Sequence, residues 1–281
     1  GNRLLNLRDI VAMKALSELV ILDLAANPLC ADTQYRLYTV YHLGSRLKML
    51  DGVTLESSEL LAARQAYTGK LTADALAERF AILGKPPHLT KVLDISHSKL
   101  RVVDALRHAN LVALEELNLD CNQISDLRSL PSIPTLQTLR LNHNLIAVPA
   151  APQAHPGGRA LPPTLPVDAD PHPEPPPLAS FVRLLDLRLG HNQLTSIAAL
   201  QLGAAVPSLR VLHLDSNDIT RIDGLEGLAG LRELVVNRNR IRGLEPASLA
   251  GLHSLRVLKL EDNALRYLDY LAPLPQLVEL H

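Results

Sequence analysis

The sequence predicts an α/β repeat protein, a solenoid in which each repeat supplies one short strand to a parallel sheet. The first observation is a recurring pattern, L-x-x-L-x-L-x-x-N-x-L/I, in which leucines alternate with variable residues before an asparagine. The second is its spacing, since Asn217 and Asn239 stand 22 residues apart and Asn192 and Asn217 stand 25 apart. The third is one proline-rich interruption of this period. Copies of the pattern begin at Leu19, Leu114, Leu136, Leu184, Leu209, Leu231 and Leu255.

A period of this length is typical of a leucine-rich-repeat solenoid, because one unit cannot bury its apolar face alone and must stack on its neighbours. We expect the leucines to point inward and the residues between them to point to the concave face. The repeat asparagine is predicted to bond backbone groups of the neighbouring turn, because an unpaired buried amide would cost on the order of 1–3 kcal/mol. A degenerate copy with Ser98 in place of the asparagine opens the second array.

The composition narrows the class of protein. Hydrophobic residues make up 47% of the chain but aromatic residues only 3%, so leucine and the β-branched residues must fill the core. A formal net charge of −1 gives no general attraction to nucleic acid or to an anionic membrane. Neither a long apolar run nor a signal-peptide core occurs, and Cys30 and Cys121 lie in different arrays. These features predict an intracellular, cytoplasmic setting.

The chain is predicted to have three parts. The linker between the arrays lacks the repeat and has apolar residues at helical spacing, with Thr54 and Thr72 as expected N-caps and a break at Gly69. An amphipathic helix of this kind can recruit a partner helix, but we favour a spacer packed on the array ends. The parts are the end and cap of a first array at 1–53, a helical linker at 54–88, and a second array at 89–281.

The second array is interrupted at about 147–178, where eleven of the chain's twenty prolines fall. Proline lacks a backbone donor, and this stretch has few bulky apolar residues, so we predict a disordered insertion that contributes no strand. Pro175 to Pro177 offer an alternative function as a polyproline ligand. We favour the simpler interpretation, an insertion that the fold tolerates.

The segment after Leu29 resembles the C-terminal cap of the SDS22-like class of intracellular leucine-rich repeats, found in a protein phosphatase regulator and in an axonemal dynein light chain. The elements that carry this resemblance are Asn27-Pro28-Leu29, Tyr35-Arg36 and Leu50-Asp51-Gly52. The succession of cap, linker, array and insertion is similar to the family of leucine-rich repeat-containing protein 9. That resemblance implies a long intracellular protein with tandem arrays in a ciliary or axonemal setting, and it brings no catalytic residues. Both ends cut through repeats, so we expect a segment of a longer protein.

No nucleotide-binding, hydrolase or metalloprotease motif is present, and we predict neither an enzyme nor a cofactor. One column before the repeat asparagines combines cysteine with histidine, which are zinc ligands. We interpret its members as ordinary surface residues, because structural zinc sites show tighter local spacing. The column consists of His97, Cys121, His143 and His191.

The strand residues between the leucines form the predicted binding face, acidic in its first repeats and basic in the middle. Such polarity suits oriented docking of a charged partner, although an unselected hydrophilic surface would look similar. Arg140 and Arg188 become neighbours if the insertion adds no strand, which favours a protein partner with an acidic contact surface. We predict an interaction scaffold, or alternatively a regulatory subunit of a protein phosphatase. The predicted partner-binding residues are Glu116, Asn118, Asp120, Arg140, Arg188, His213, Asp215 and Lys259.

Overall fold

A computed structural model describes residues 2–147, 176–245, 248–267, 271 and 274–281. The chain forms two compact units, Gly1–Arg79 and Phe80–His281. The predicted disorder of the insertion, and the polyproline alternative at Pro175, lie outside the described residues. Leu178 is described and fully buried, with 0% of its surface exposed. The predicted insertion therefore extended too far, because Leu178 already belongs to the core of the next repeat.

The first unit combines a short mixed sheet with helices. Its strands are β1 (Ile21–Leu22), β2 (Met49–Leu50) and β3 (Val53–Thr54). Strand β1 pairs with β2 in parallel and β2 pairs with β3 in antiparallel fashion. A three-residue turn of 3-10 helix follows α1 and another 3-10 helix, Pro28–Ala31, follows β1. The helices are α1 (Arg8–Ala12), α2 (Tyr35–Leu43), α3 (Ser57–Tyr67) and α4 (Ala73–Leu83), the last of which continues into the second unit.

The cap motif closes the core of this unit through Asp51. One carboxylate oxygen accepts the Leu24 N–H at 2.7 Å, and the other accepts the Tyr35 hydroxyl at 2.8 Å. Burial, followed by the bond to Asp51, raises the pKa of Tyr35, so the phenol stays protonated and keeps donating. Arg36 reaches outward and pairs with Glu59 at 2.6 Å. These contacts explain why the tyrosine, arginine and aspartate occur together in the sequence.

The predicted helical stretch contains two helices, α3 and α4, and the start of α3 differs from the prediction. Thr54 lies in β3, and α3 begins after Glu56, whose side chain forms a capping box with Glu59. The prediction of Thr54 as an N-cap was wrong, because the capping box two residues later satisfies the free N–H groups. Thr72 does cap α4, since its hydroxyl accepts the Ala75 N–H at 3.2 Å.

The second unit contains a parallel sheet of eight described strands in sequence order, as a solenoid requires. The central leucine of each inner strand is buried, and residues on either side of it emerge on the concave face. Short 3-10 helices and the four-residue helix α5 (Leu202–Ala205) connect the strands. The strands are β4 (Val92–Asp94), β5 (Glu116–Asn118), β6 (Thr138–Arg140), β7 (Asp186–Arg188), β8 (Val211–His213), β9 (Glu233–Val235), β10 (Val257–Lys259) and β11 (Glu279–Leu280).

The repeat asparagines form the predicted ladder. Asn239 is buried, its amide oxygen accepts the N–H of Ile219 at 3.0 Å, and its amide nitrogen donates to the Leu214 carbonyl at 2.9 Å. Both partners belong to the preceding repeat, so the side chain joins two repeats. Corresponding bonds link Asn122, Asn144, Asn192, Asn217 and Asn263 to their preceding repeats.

The prediction that asparagine joins the repeats is confirmed at the interruption itself, where β6 and β7 pair with no strand between them. Ile146 donates its N–H to the Asn192 amide oxygen at 3.0 Å across 46 positions of sequence. Thr138, Leu139 and Arg140 pair directly with Asp186, Leu187 and Arg188. Within the described ranges, no helix has the length and apolar character needed to cross a membrane.

We expect Asn239→Ala to lower the free energy of unfolding by about 1–3 kcal/mol, because buried backbone groups lose their partners. Chemical denaturation followed by circular dichroism measures this change. The control is Asn110→Ala, since Asn110 is exposed and should cost less than about 0.5 kcal/mol. Equal losses in the two variants would contradict the role of the ladder.

His42 is a half-buried titratable residue of the first unit whose two ring nitrogens are buried. Its ring packs edgewise on Tyr38 and Tyr41, with centroids 4.4 and 5.0 Å away. Neither ring nitrogen has a hydrogen-bond partner among the described residues. Burial, reinforced by the positive charge of Lys14 and partly opposed by Asp74, lowers the pKa of His42 from 6.5 to about 4. The folded state therefore excludes a proton that the unfolded chain accepts.

The first unit should consequently lose stability as the pH falls from 6.5 to about 4. Above this window the ring is neutral in both the folded and the unfolded state, and below it both states bind the proton. His42 therefore makes stability depend on pH only inside the window. A pKa shift corresponds to about 1.4 kcal/mol of stability per unit when solvent does not screen the group. Because this ring is only partly buried, we expect a smaller total loss, on the order of 2 kcal/mol. Tyrosine fluorescence can follow unfolding, because four of the six tyrosines lie in this unit.

The matched variant for this measurement is His42→Phe, which keeps an aromatic ring and removes the titration. The difference in stability between the native chain and the variant cancels the acid sensitivity of the carboxylates. A difference that stays constant between pH 6.5 and 4 would show that His42 is not responsible.

Candidate functional site

The candidate site begins with the register of the parallel strands. Asn118, Arg140, Arg188 and His213 pair in succession at the last position of strands β5 to β8. All four side chains are half-buried on the concave face. Because parallel strands align equivalent repeat positions, residues 95 positions apart in sequence share one surface, as the leucine pattern predicts.

A second column lies two residues after the first and is engaged in internal hydrogen bonds. Asp120 accepts the Asn142 N–H at 2.7 Å, and the Asn142 amide oxygen accepts the Gly190 N–H at 2.8 Å. Gly190 has no side chain, and a Cβ there would lie 2.7 Å from an oxygen of Asp215. The carboxylate of Asp215 occupies the space that the missing side chain leaves.

Asp120 is therefore mainly a structural residue, with 8% of its surface exposed. Its second oxygen binds the Arg140 guanidinium at 3.0 Å. Asp120 is one of the predicted partner-binding residues on the concave face, and the structure shows that its carboxylate also stabilises the fold. The carboxylate of Asp120 faces the backbone of the next repeat, because the Asn142 N–H there donates to it.

The two arginines are neighbours, as predicted, but each is held by an aspartate. Arg188 binds Asp186 on its own strand at 3.0 Å, while Arg140 binds Asp120 on the preceding repeat. The hydrogen bond to Asp186 raises the pKa of Arg188, which keeps this guanidinium charged. The bonds to these aspartates engage Nε and Nη2 in both arginines, and within the described part of the chain Nη1 of each has no partner. These unengaged donors remain available to a ligand.

The column before the repeat asparagines contributes a stacked pair of histidines. His143 and His191 lie with ring centroids 4.0 Å apart and planes inclined by 14°. Both residues have a φ of 54°, as do the equivalent turns at other repeats, and this conformation carries their side chains to the end of the strands. His191 also lies 3.7 Å from Asp215. The described residues contain no group of three or more ligands able to hold a metal ion.

These columns enclose a polar groove of about 420 Å³, which we call the concave groove. Six of the eight predicted partner-binding residues line it, while Glu116 and Lys259 lie outside it on the same face. The sequence predicts His97, His143 and His191 to be ordinary surface residues, and their common position before each asparagine or serine was the signal that they would lie close together. The lining residues are Ser96, His97, Asn118, Asp120, Cys121, Arg140, Asn142, His143, Arg188, His191, His213 and Asp215.

The internal role of Asp120 leads to a stability prediction. Asp120→Ala removes an acceptor for the Asn142 N–H and the partner of Arg140, so we expect a loss of about 2 kcal/mol in the free energy of unfolding. Asp262→Asn is the control, because its side chain is 70% exposed and pairs with Arg238 at the surface, and asparagine tolerates the φ of 54° at this position. That exposed pair is worth less than about 1 kcal/mol. Denaturation in urea measures both, and a neutral Asp120→Ala would contradict the structural role.

Comparisons with known proteins agree with this architecture. The model of the leucine-rich-repeat family matches residues 182–241 and 229–281. Mouse podocan-like protein 1 is 34% identical over 203 residues, which represent 63% of this chain and 36% of that protein. The alpha subunit of rat geranylgeranyl transferase type 2 is 47% identical over 72 residues, representing 26% of this chain and 12% of that protein. The chain thus spans about a third of the first relative and an eighth of the second.

Among solved structures, an internalin of Listeria monocytogenes superposes with a TM-score of 0.51 at 19% sequence identity. The superposition covers 97% of this chain and 70% of the internalin. At this identity the likeness concerns the fold alone. Together with the parallel sheet and the asparagine ladder, these matches show that the second unit has the leucine-rich-repeat solenoid fold.

Proposed function

We propose that this chain is an interaction scaffold that binds a protein partner in the concave groove. Leucine-rich-repeat domains generally mediate protein–protein interaction, and the fold is typically a non-enzymatic module. The observation that carries the proposal is the position of Arg140 and Arg188, which lie side by side on the adjacent strands β6 and β7. In each guanidinium Nη1 has no hydrogen-bond partner among the described residues. Guanidinium groups held in place by carboxylates lose little freedom on binding, which favours recognition of another anion.

The proposed partner presents an acidic surface to the groove. A carboxylate or a row of carboxylates can accept from both guanidinium groups with charge-assisted bonds. The aspartates that bind these arginines weaken the attraction between the arginines and an acidic partner, but they also fix the geometry of the guanidinium donors. We place the complex in the cytoplasm and, from the resemblance to the leucine-rich repeat-containing protein 9 family, in a ciliary or axonemal assembly. No nucleic acid or membrane is proposed as a ligand.

A second candidate function is regulation of a protein phosphatase. It is supported by the cap of the first unit, where a hydrogen bond joins Tyr35 and Asp51, two of the residues that carry the resemblance to the class of repeat found in a phosphatase regulator. The groove of the second unit lacks aromatic anchors of the kind that dominate tight interfaces, which favours the scaffold. Phosphatase activity in the captured material would separate the two functions.

The test compares proteins captured from cell extract by the native chain and by a double variant, Arg140→Gln with Arg188→Gln. We expect the variant to lose the principal partner at least about tenfold, because two charged donors are removed from the interface. Quantitative mass spectrometry measures the yield. Circular dichroism must show an intact fold, since Asp120 loses a neighbour.

The matched control is Arg107→Gln with Arg221→Gln. Each of these exposed arginines also pairs with a carboxylate, Asp104 or Glu245, but neither lines the groove. This variant removes the same formal charge and should capture the same partner at native yield. If both double variants capture equally, the concave basic centre is not the binding site.

A further inference from the structure

The charge balance of the concave groove raises a question about the proposed acidic partner. Two arginines and two aspartates line the groove, so their charges cancel. Asp186 lies 3.0 Å from Arg188 and Glu233 lies 3.1 Å from His213, and both carboxylates add negative charge beside the groove. The arginines alone therefore do not make the groove positive.

Histidines supply the remaining titratable groups. The groove contains four of the chain's eleven histidines, contributed by four of five successive repeats. Histidine side chains as a class change charge between about pH 5 and 8. With Asp186 and Glu233 included, two arginines and four carboxylates leave a net charge of −2, so positive charge on three of the four rings makes the groove cationic. The four are His97, His143, His191 and His213.

The stacked pair has a particular position in this arrangement. The rings of His143 and His191 lie 4.0 Å apart, so two positive charges there would repel each other. An anion that contacts both rings removes that repulsion, and proton uptake and anion binding then favour each other. The charged and titratable side chains that line the groove around the pair are His97, Asp120, Cys121, Arg140, Arg188, His213 and Asp215.

We infer that the concave groove captures its acidic partner in a proton-dependent manner, with the stacked pair His143 and His191 as the sensor. This inference rests on the proposed function and adds its regulation. The arginines, which Asp120 and Asp186 hold in place, provide donors at every pH. The histidines determine the sign of the surrounding charge, so binding strengthens as the pH falls.

The direct experiment is calorimetric titration of the chain with a polyglutamate peptide. Its carboxylates stay ionised from about pH 6 to 8, so changes in affinity over that range come from the protein. We expect the affinity for the peptide to rise about tenfold as the pH falls from about 8 to about 6. The range overlaps the acid loss expected from His42 only below pH 6.5, and circular dichroism at each pH confirms that the chain is folded.

The sensor variant is His143→Asn with His191→Asn. Asparagine is chosen because both positions have a φ of 54°, which asparagine tolerates. The matched control is His108→Asn with His253→Asn, two exposed histidines outside the groove. We expect the sensor variant to lose most of the pH dependence and the control to retain it.

The outcomes separate this inference from the proposed function. Binding of the peptide with an affinity independent of pH, or an equal pH dependence in both double variants, overturns the inference and leaves the acidic partner standing. No binding at any pH, with a folded chain, overturns both. A polylysine peptide of the same length should not bind at about pH 6, and its binding there would contradict a cationic groove.

Discussion

The buried amide of the repeat asparagine is the interaction on which the second unit depends. Each amide accepts an N–H from the preceding repeat and donates to a carbonyl of that same repeat, as Asn239 does with Ile219 and Leu214. A leucine core alone is non-directional and would tolerate sliding between repeats. Two directed hydrogen bonds per junction allow only one register. The sheet is consequently parallel and in register from β4 to β11.

That register creates the binding face. Arg140 and Arg188 meet because Asn192 bridges the interruption and bonds Ile146 and Leu141 as if no residues intervened. The same junction brings His143 against His191. The groove thus depends on an insertion that leaves the ladder intact, and its most informative side chains come from the two repeats that flank the longest gap in the pattern.

The groove also shows how a surface column can serve the fold and the ligand together. Asp120 and Asn142 cap backbone N–H groups of the following strand, so their side chains are fixed by the backbone. Arg140 is held in turn by Asp120. A rigid set of donors of this kind has little conformational entropy left to lose on binding. The balance of arginine and aspartate leaves histidine as the residue type able to change the charge of the site.

The sequence by itself determined the solenoid, the inward leucines, the role of the asparagine and the adjacency of Arg140 and Arg188. These features follow from the repeat period, which can be read directly from the order of the residues. Only the tertiary structure decided that Asp120 is buried, that Leu178 belongs to the core and that α3 begins at a capping box of Glu56 and Glu59 rather than at Thr54. It also decided which aspartate neutralises which arginine and how two histidine rings stack. Such details depend on side-chain direction and on competition between acceptors across repeats, which residue spacing does not encode.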